Sequence, residues 1–314
     1  MKSFSDRLYD AIRQKGTPVL VGLDPRWNML PAVLVQGNEQ ATWAQKTAVF
    51  ESFCRTVIDI VAPLVPAVKP QAAFFEQCGP EGMLSLGRVI QYATSKGLLV
   101  ILDGKRNDIG STAAAYAAGM LGQESPWGAD ALTVSPYLGD DSLTPFVDVA
   151  GERGAGVFIL VKTSNPGGAM LQDKIAEGIP VYRHVAEFVH SLAEKSWEQT
   201  QGKSPYGSIG AVVGATWPAQ LTELRQVMKR TWFLVPGYGS QGGGAADVAG
   251  AFDEDGLGAI VNNSRGIIFA WRSPKYAESF GEKQWERAIE QSTRDMIADL
   301  AAQTLAGRLK KGPR

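Results

Sequence analysis

Cysteine and histidine are scarce, with only Cys54 and Cys78, His184 and His190 in 314 residues. Two cysteines cannot form the disulfide framework of a small secreted protein, and they lack zinc-ligand spacing, so a reducing, cytoplasmic setting is expected. The two histidines fall in one helical segment at positions that do not share a face. Neither a metal site nor a Ser-His-Asp arrangement is therefore expected. Long apolar runs are missing as well: none reaches the roughly 18 residues of a membrane span. The opening stretch Met1–Arg7 lacks the basic-then-apolar order of a signal peptide. An excess of one charge is also absent, because 31 Lys plus Arg balance 32 Asp plus Glu to a net −1. Basic residues gather only in the tail at Lys310, Lys311 and Arg314. Nucleic acid and anionic membrane are excluded as main partners, since both require a basic footprint.

What is present is apolar material: 45% of the chain is hydrophobic and only 20% charged, ample for a sizeable core. The length suits either two ordinary domains or one α/β barrel with insertions. Eight short runs rich in Val, Ile and Leu decide between them: 18–23, 66–69, 98–102, 131–134, 156–161, 208–213, 232–235 and 259–261. Each is nearly continuous in apolar residues, the habit of parallel strands buried on both faces. Helical patterning fills the gaps at 43–63, 80–96, 110–122, 141–152, 180–199, 217–229 and 243–251, with a long last helix at 284–306. Eight βα units without a composition break predict one (β/α)8 TIM barrel as a single domain over 1–314. The stretch 25–42 reads as an irregular excursion, and 163–179 as a loop over one mouth. The tryptophans, Trp27, Trp43 and Trp127 among them, are expected to pack helices or loops rather than stack bases.

In such a barrel the C-terminal strand ends carry the chemistry, because loops there converge on one mouth. Asp24 ends the first run, Lys69 the second, Asp103 with Lys105 and Asp108 the third, and Ser135 the fourth. Lys162-Thr163-Ser164-Asn165 ends the fifth. Strand alternation points Asp103 and Lys105 the same way, with Gly104 between them leaving room for close approach. A lysine flanked by carboxylates stays protonated and becomes an aimed proton donor. Together with Lys69 it would form an alternating row of charges, Lys69, Asp103, Lys105 and Asp108. The segment Gly237-Tyr-Gly239-Ser-Gln241-Gly242 spells a dinucleotide fingerprint, but it follows a seventh strand and no ribose-binding acid ends a strand about 20 residues later. A phosphate site on the loops after strands 7 and 8 suits its position better, built from Gly237, Gly239, Gly242 and Gly266. Arg265 would add a planar, permanently charged fork.

These strand ends resemble the orotidine 5′-phosphate decarboxylase family, in its longer bacterial subgroup. The likeness spans essentially the whole chain and rests on Val21–Arg26, Lys69–Glu76, Leu102–Ile109, Thr163–Gly167, Val235–Gly243 and Asn263–Gly266. The D-x-K-x-x-D spacing alone is shared with a wider group of phosphate-binding barrels. The resemblance implies conversion of orotidine monophosphate to UMP and carbon dioxide in pyrimidine biosynthesis, without a metal or other cofactor. It implies that Lys105 protonates C6 of the pyrimidine, and that Asp103 faces the substrate carboxylate. Asp108, accompanied by Ile109 and Thr112, would reach into the partner's site of a homodimer with shared active sites. Lys69 and Asp24 would hold the ribose hydroxyls, Gln241 would bridge phosphate and base, Arg265 would take the phosphate, and Ser135 the pyrimidine edge. The loop 236–244 is the lid candidate. The alternatives are a Mg2+-dependent sugar-phosphate decarboxylase or aldolase of the same barrel group, and a catalytically silent nucleotide-binding barrel.

Overall fold

A computed structural model describes residues 2–37, 40–239 and 242–309. Eight parallel strands close into a barrel: β1 (Val19–Leu23), β2 (Ala67–Pro70), β3 (Leu99–Arg106), β4 (Ala131–Val134), β5 (Gly156–Lys162), β6 (Ile209–Val213), β7 (Phe233–Val235) and β8 (Ala259–Asn263). Each strand pairs with its neighbour in sequence, and β8 closes the ring on β1 with Val19 opposite Val261. All eight apolar runs thus become strands. Their residues are buried almost without interruption, the result of a filled barrel interior inside a helical jacket.

The jacket follows the expected helices closely, with Trp43–Val61, Gly79–Ser95, Gly110–Met120, Thr144–Glu152, Val181–Thr200, Pro218–Val227 and Trp285–Gln303. The stretch predicted as helix at 243–251 is instead a six-residue 3-10 turn, Ala246–Ala251. Aromatic rings weld the jacket together. Phe53 stacks on Trp285 and Phe269 at centroid distances of 5.5 and 5.8 Å, and Trp271 meets Trp285 edge-on at 5.7 Å. Trp43 departs from the packing expectation, since it stands exposed at the start of its helix.

A helix absent from the sequence reading, Phe4–Lys15, plugs the N-terminal mouth of the barrel. Ser3 caps it by accepting the Asp6 N–H, and Gly16 ends it in the left-handed conformation. Phe4, Leu8 and Ile12 repeat every four residues and are all buried. The Phe4 ring presses so closely on the first residue of β5 that a Cβ on Gly156 would lie 2.2 Å from it. Ser5 accepts the Trp232 indole N–H at 2.8 Å, and the Asp6 carboxylate accepts the Ser204 N–H at 2.8 Å. These contacts occupy the N-terminal end of the barrel, opposite the charged strand ends.

Candidate active site

At the C-terminal mouth lies a cavity of about 380 Å³. It draws on the ends of β1, β2, β3, β5, β7 and β8: Asp24 and Arg26, Lys69 and Gln71, Asp103 and Lys105, Thr163 to Asn165, Gly237 and Tyr238, and Asn262 to Arg265 without Asn263. Four cations (Arg26, Lys69, Lys105, Arg265) against two carboxylates (Asp24, Asp103) give it two surplus positive charges. Such a cavity favours an anionic ligand.

Its floor is a ladder of charges centred on Asp103. One carboxylate oxygen accepts from Lys69 Nζ at 2.6 Å and Gln71 Nε2 at 3.1 Å; the other accepts from Lys105 Nζ at 2.6 Å and the Thr133 hydroxyl at 2.9 Å. Burial alone would raise the Asp103 pKa, but the Lys69 and Lys105 ammonium groups overcome it and hold the carboxyl well below the ordinary range. Burial likewise works against the Lys69 charge, and the neighbouring Asp103 and Asp24 outweigh it, raising its pKa. Lys69 and Asp103 are buried, whereas the Lys105 side chain is 47% exposed toward the open mouth. The solvent-facing ammonium is therefore held by a buried carboxylate.

The way Lys105 reaches that position differs from simple strand alternation. The β3–β4 register shifts between Leu102 and Arg106, and Lys105 adopts a left-handed φ of +45°. Such a conformation costs an L-residue about 1–2 kcal/mol. Here the Lys105 N–H donates to Thr133 Oγ1 at 2.9 Å, so one threonine hydroxyl fixes both the backbone of Lys105 and the carboxylate that it pairs with. The space expected to require Gly104 is not tight, because a Cβ there would meet nothing closer than 3.4 Å. The special conformation belongs to the lysine.

The β7–β8 side is built from backbone and arginine. Gly237 and Gly239 take φ of +100° and +75°, and the turn closes on itself through Gly239 N–H to the Gly243 carbonyl (2.7 Å) and Gly242 N–H to the Gly239 carbonyl (2.9 Å). Of the four glycines expected to cradle phosphate, only Gly237 lines the cavity. The N–H groups of Gly239 and Gly242 are consumed in shaping the turn, and that of Gly266 donates to Asn263 Oδ1 at 3.1 Å. Gln241 lies outside the described residues. Arg265 opens a four-residue helix at the rim, and its guanidinium has no hydrogen-bond or ion-pair partner among the described residues.

Other expected residues are dispersed. Asp24 lines the cavity and carries a buried Oδ1 with no partner, as does Asn262. Asp108, Ile109 and Thr112 do not line it; Asp108 Oδ1 accepts the Ile109 N–H, and Ile109 and Thr112 are exposed. Ser135 borders a neighbouring cavity with Tyr137 and Tyr182 instead. His184 bonds the Ala176 carbonyl and His190 the Thr231 hydroxyl, and neither lines the cavity. Arg26, Gln71, Thr133, Asn262 and Ser264 also line the cavity, although the sequence assigned them no role. Gln71 and Thr133 were within reach of the strand-end reading, one two residues beyond Lys69 and the other inside the fourth run. Among the described residues no cluster of three or more His, Cys, Asp or Glu is placed to hold a metal. No helix of the described residues is long and apolar enough to cross a membrane.

Comparison with known proteins agrees with this geometry. The profile of the orotidine 5′-phosphate decarboxylase / HUMPS family matches residues 17–279. An orotidine 5′-phosphate decarboxylase of Rhodopirellula baltica is 52% identical over 304 residues, covering 96% of this chain and 99% of its own. One from Caldicellulosiruptor bescii is 38% identical over 294 residues, covering 90% and 94%. Among solved structures, the OMP decarboxylase of Leishmania donovani superposes with a TM-score of 0.74 at 31% identity, covering 97% of this chain and 99% of that one.

Proposed function

The chain belongs to the orotidine 5′-phosphate decarboxylase family, and on that premise we propose how its residues turn orotidine monophosphate into UMP and carbon dioxide, a step of pyrimidine biosynthesis. The observation that carries the reading is the Lys69–Asp103–Lys105 ladder, set in one cavity with an unpaired Arg265.

The substrate carries a phosphate of roughly −1.5 to −2 charge and a carboxylate, matching the surplus of positive charge. Arg265 and the Gly237 edge take the phosphate on the β7–β8 side. Asp24, with its free Oδ1, accepts a ribose hydroxyl, and Lys69 donates to another while remaining paired with Asp103. This places the pyrimidine C6 beside Lys105. When the bond from C6 to the carboxylate breaks, its electron pair stays on C6, where the fixed ammonium of Lys105 stabilises it and then delivers a proton. Asp103 keeps that ammonium aimed without adopting a new geometry during the reaction. The remote phosphate contacts supply binding energy that orients the base. No step calls for a metal or another cofactor. A divalent cation at Asp103 would have to displace two ammonium groups, which weighs against the Mg2+-dependent lyase reading.

Because Asp108, Ile109 and Thr112 lie off their own cavity, their expected role is best served in a partner's site. We therefore propose a homodimer with shared active sites, working in the cytoplasm as one barrel domain. The direct test follows the absorbance of orotidine monophosphate on adding EDTA-treated protein. Conversion to UMP supports the reading; tight UMP binding without turnover would leave a silent binder, and turnover only of a sugar phosphate with Mg2+ would move the chain to the sister activity.

A further inference from the structure

Beyond β5, the segment from Thr163 to Pro180 leaves the rim of the cavity as a strap: a 3-10 turn (Pro166–Gly168), a four-residue helix (Ala169–Gln172) and a two-rung hairpin pairing Ile175 with Pro180. Beneath it sits a charge that the reaction does not use. Lys162, the last residue of β5, has a side chain 0% exposed, yet it does not line the cavity. Its ammonium pairs with Asp173 and lies 4.4 Å from the ring centroid of Trp217 and 5.4 Å from that of Tyr182. An ammonium withdrawn this far from water is unfavourable unless it is well compensated, and an apolar side chain of equal length would fill the space without that burden.

What the charge holds is visible in its two main partners. Asp173 directly follows Gln172, whose amide accepts the Thr163 N–H at 3.0 Å and donates to the Thr163 hydroxyl at 2.8 Å. Trp217 donates its indole N–H to the Thr163 carbonyl at 2.8 Å, and the adjacent Thr216 hydroxyl donates to the Ser164 carbonyl at 2.9 Å. Lys162 thus touches both jaws of a clamp closed on Thr163. The N–H, carbonyl and hydroxyl oxygen of Thr163 are engaged in that clamp, which sets in place Ser164 and Asn165, lining the cavity beside Thr163. They face it from the end of β5, three strands round the barrel from the β8 end that carries Arg265.

We propose that Lys162 is a positioning residue for the pyrimidine end of the substrate: by binding Asp173 and the face of Trp217, it fixes the strap so that Ser164 and Asn165 meet the base. The inference rests on the reading of the cavity as a nucleotide site with its phosphate at the β7–β8 rim. Lys162 touches no substrate, so its removal should act on base recognition and spare phosphate binding.

Calorimetric titration of the wild-type protein, Lys162→Met and Asp173→Asn with UMP and with ribose 5-phosphate, which has no base, tests it. The expected result is about a tenfold weaker affinity for UMP in both variants, as when one charged hydrogen bond is lost. Ribose 5-phosphate affinity should move less than twofold, and KM for orotidine monophosphate should rise more than kcat falls. Asp173 is 39% exposed, so its variant decides the matter even if Lys162→Met fails to fold. Equal losses for both ligands, or unchanged UMP binding in Asp173→Asn, overturn the positioning role while leaving the nucleotide site intact. Failure of the wild-type protein to bind either ligand overturns the site reading and the positioning role with it.

Discussion

On the β2–β3 side of the mouth the buried charges are already matched: Asp103 holds Lys69 and Lys105 at 2.6 Å each and also receives Gln71 and Thr133. On the β7–β8 side the Arg265 guanidinium has no partner among the described residues, and the glycine turn beside it has spent the N–H groups of Gly239, Gly242 and Gly243 on its own shape. One side is complete before a ligand arrives; the other is completed by one. The difference matches the division of labour in the reaction. Groups that meet a transient carbanion must not reorganise while it forms, so they are fixed in advance by one another. Groups that capture a stable phosphate can wait in water, because ligand binding itself supplies the missing charge.

The sharpest break in this comparison is Lys105→Ala. Removing the proton donor should lower kcat by about 10²–10⁴-fold. Asp103 keeps Lys69 as its partner, so the fold and UMP binding should survive. Steady-state kinetics beside a UMP titration checks both halves, and unimpaired turnover would remove Lys105 from the mechanism.

Asp103→Asn attacks the ladder from within. It leaves Lys69 charged and buried without its carboxylate, a change of about 3–5 kcal/mol in unfolding free energy. Its pH dependence carries a sign. Asp103 has a folded pKa below its ordinary value of 3.8, so its contribution is fully present well above 3.8 and is lost as pH falls below it toward the folded value. Lys69 has a folded pKa above 10.5, so its contribution holds below that value and is lost only as pH rises through the folded pKa. The stability gap between wild type and Asp103→Asn in urea titrations should therefore be flat from about pH 5 to pH 9 and narrow on further acidification. A gap that widens there would contradict the paired carboxylate.

On the waiting side, Arg265→Ala should raise KM for orotidine monophosphate about 10–100-fold, the range for one or two charge-assisted hydrogen bonds. Turnover of orotidine, which lacks the phosphate, should barely change. Equal losses on both substrates would mean that Arg265 shapes the mouth rather than receiving an anion.

The same two sides differ in how legible they were in the sequence. All eight strands could be read because parallel strands buried on both faces leave continuous apolar runs. The ladder could be read because charge at the end of such a run is conspicuous. The Phe4–Lys15 helix also left a signal in Phe4, Leu8 and Ile12, but a leading helix has no place in a count of eight βα units. The left-handed Lys105 left none: a lysine after Gly104 gives no hint that it, rather than the glycine, bends the chain. Uncharged polar residues were hardest to place, since periodicity says only that they lie near a rim and not which cavity they face. Ser135 and Ser164 both follow strands, yet only Ser164 lines the charged cavity.

That pair provides the smallest test. If Ser164, held by its carbonyl to Thr216, presents its hydroxyl to the base, Ser164→Ala should raise KM by roughly three- to tenfold, the loss of one neutral hydrogen bond. Ser135→Ala should stay within twofold, because Ser135 borders the neighbouring cavity beside Tyr137 and Tyr182. The reverse order in measured KM would mean that the strand-end reading of Ser135 describes the bound state better, and that β4 rather than the strap meets the pyrimidine edge.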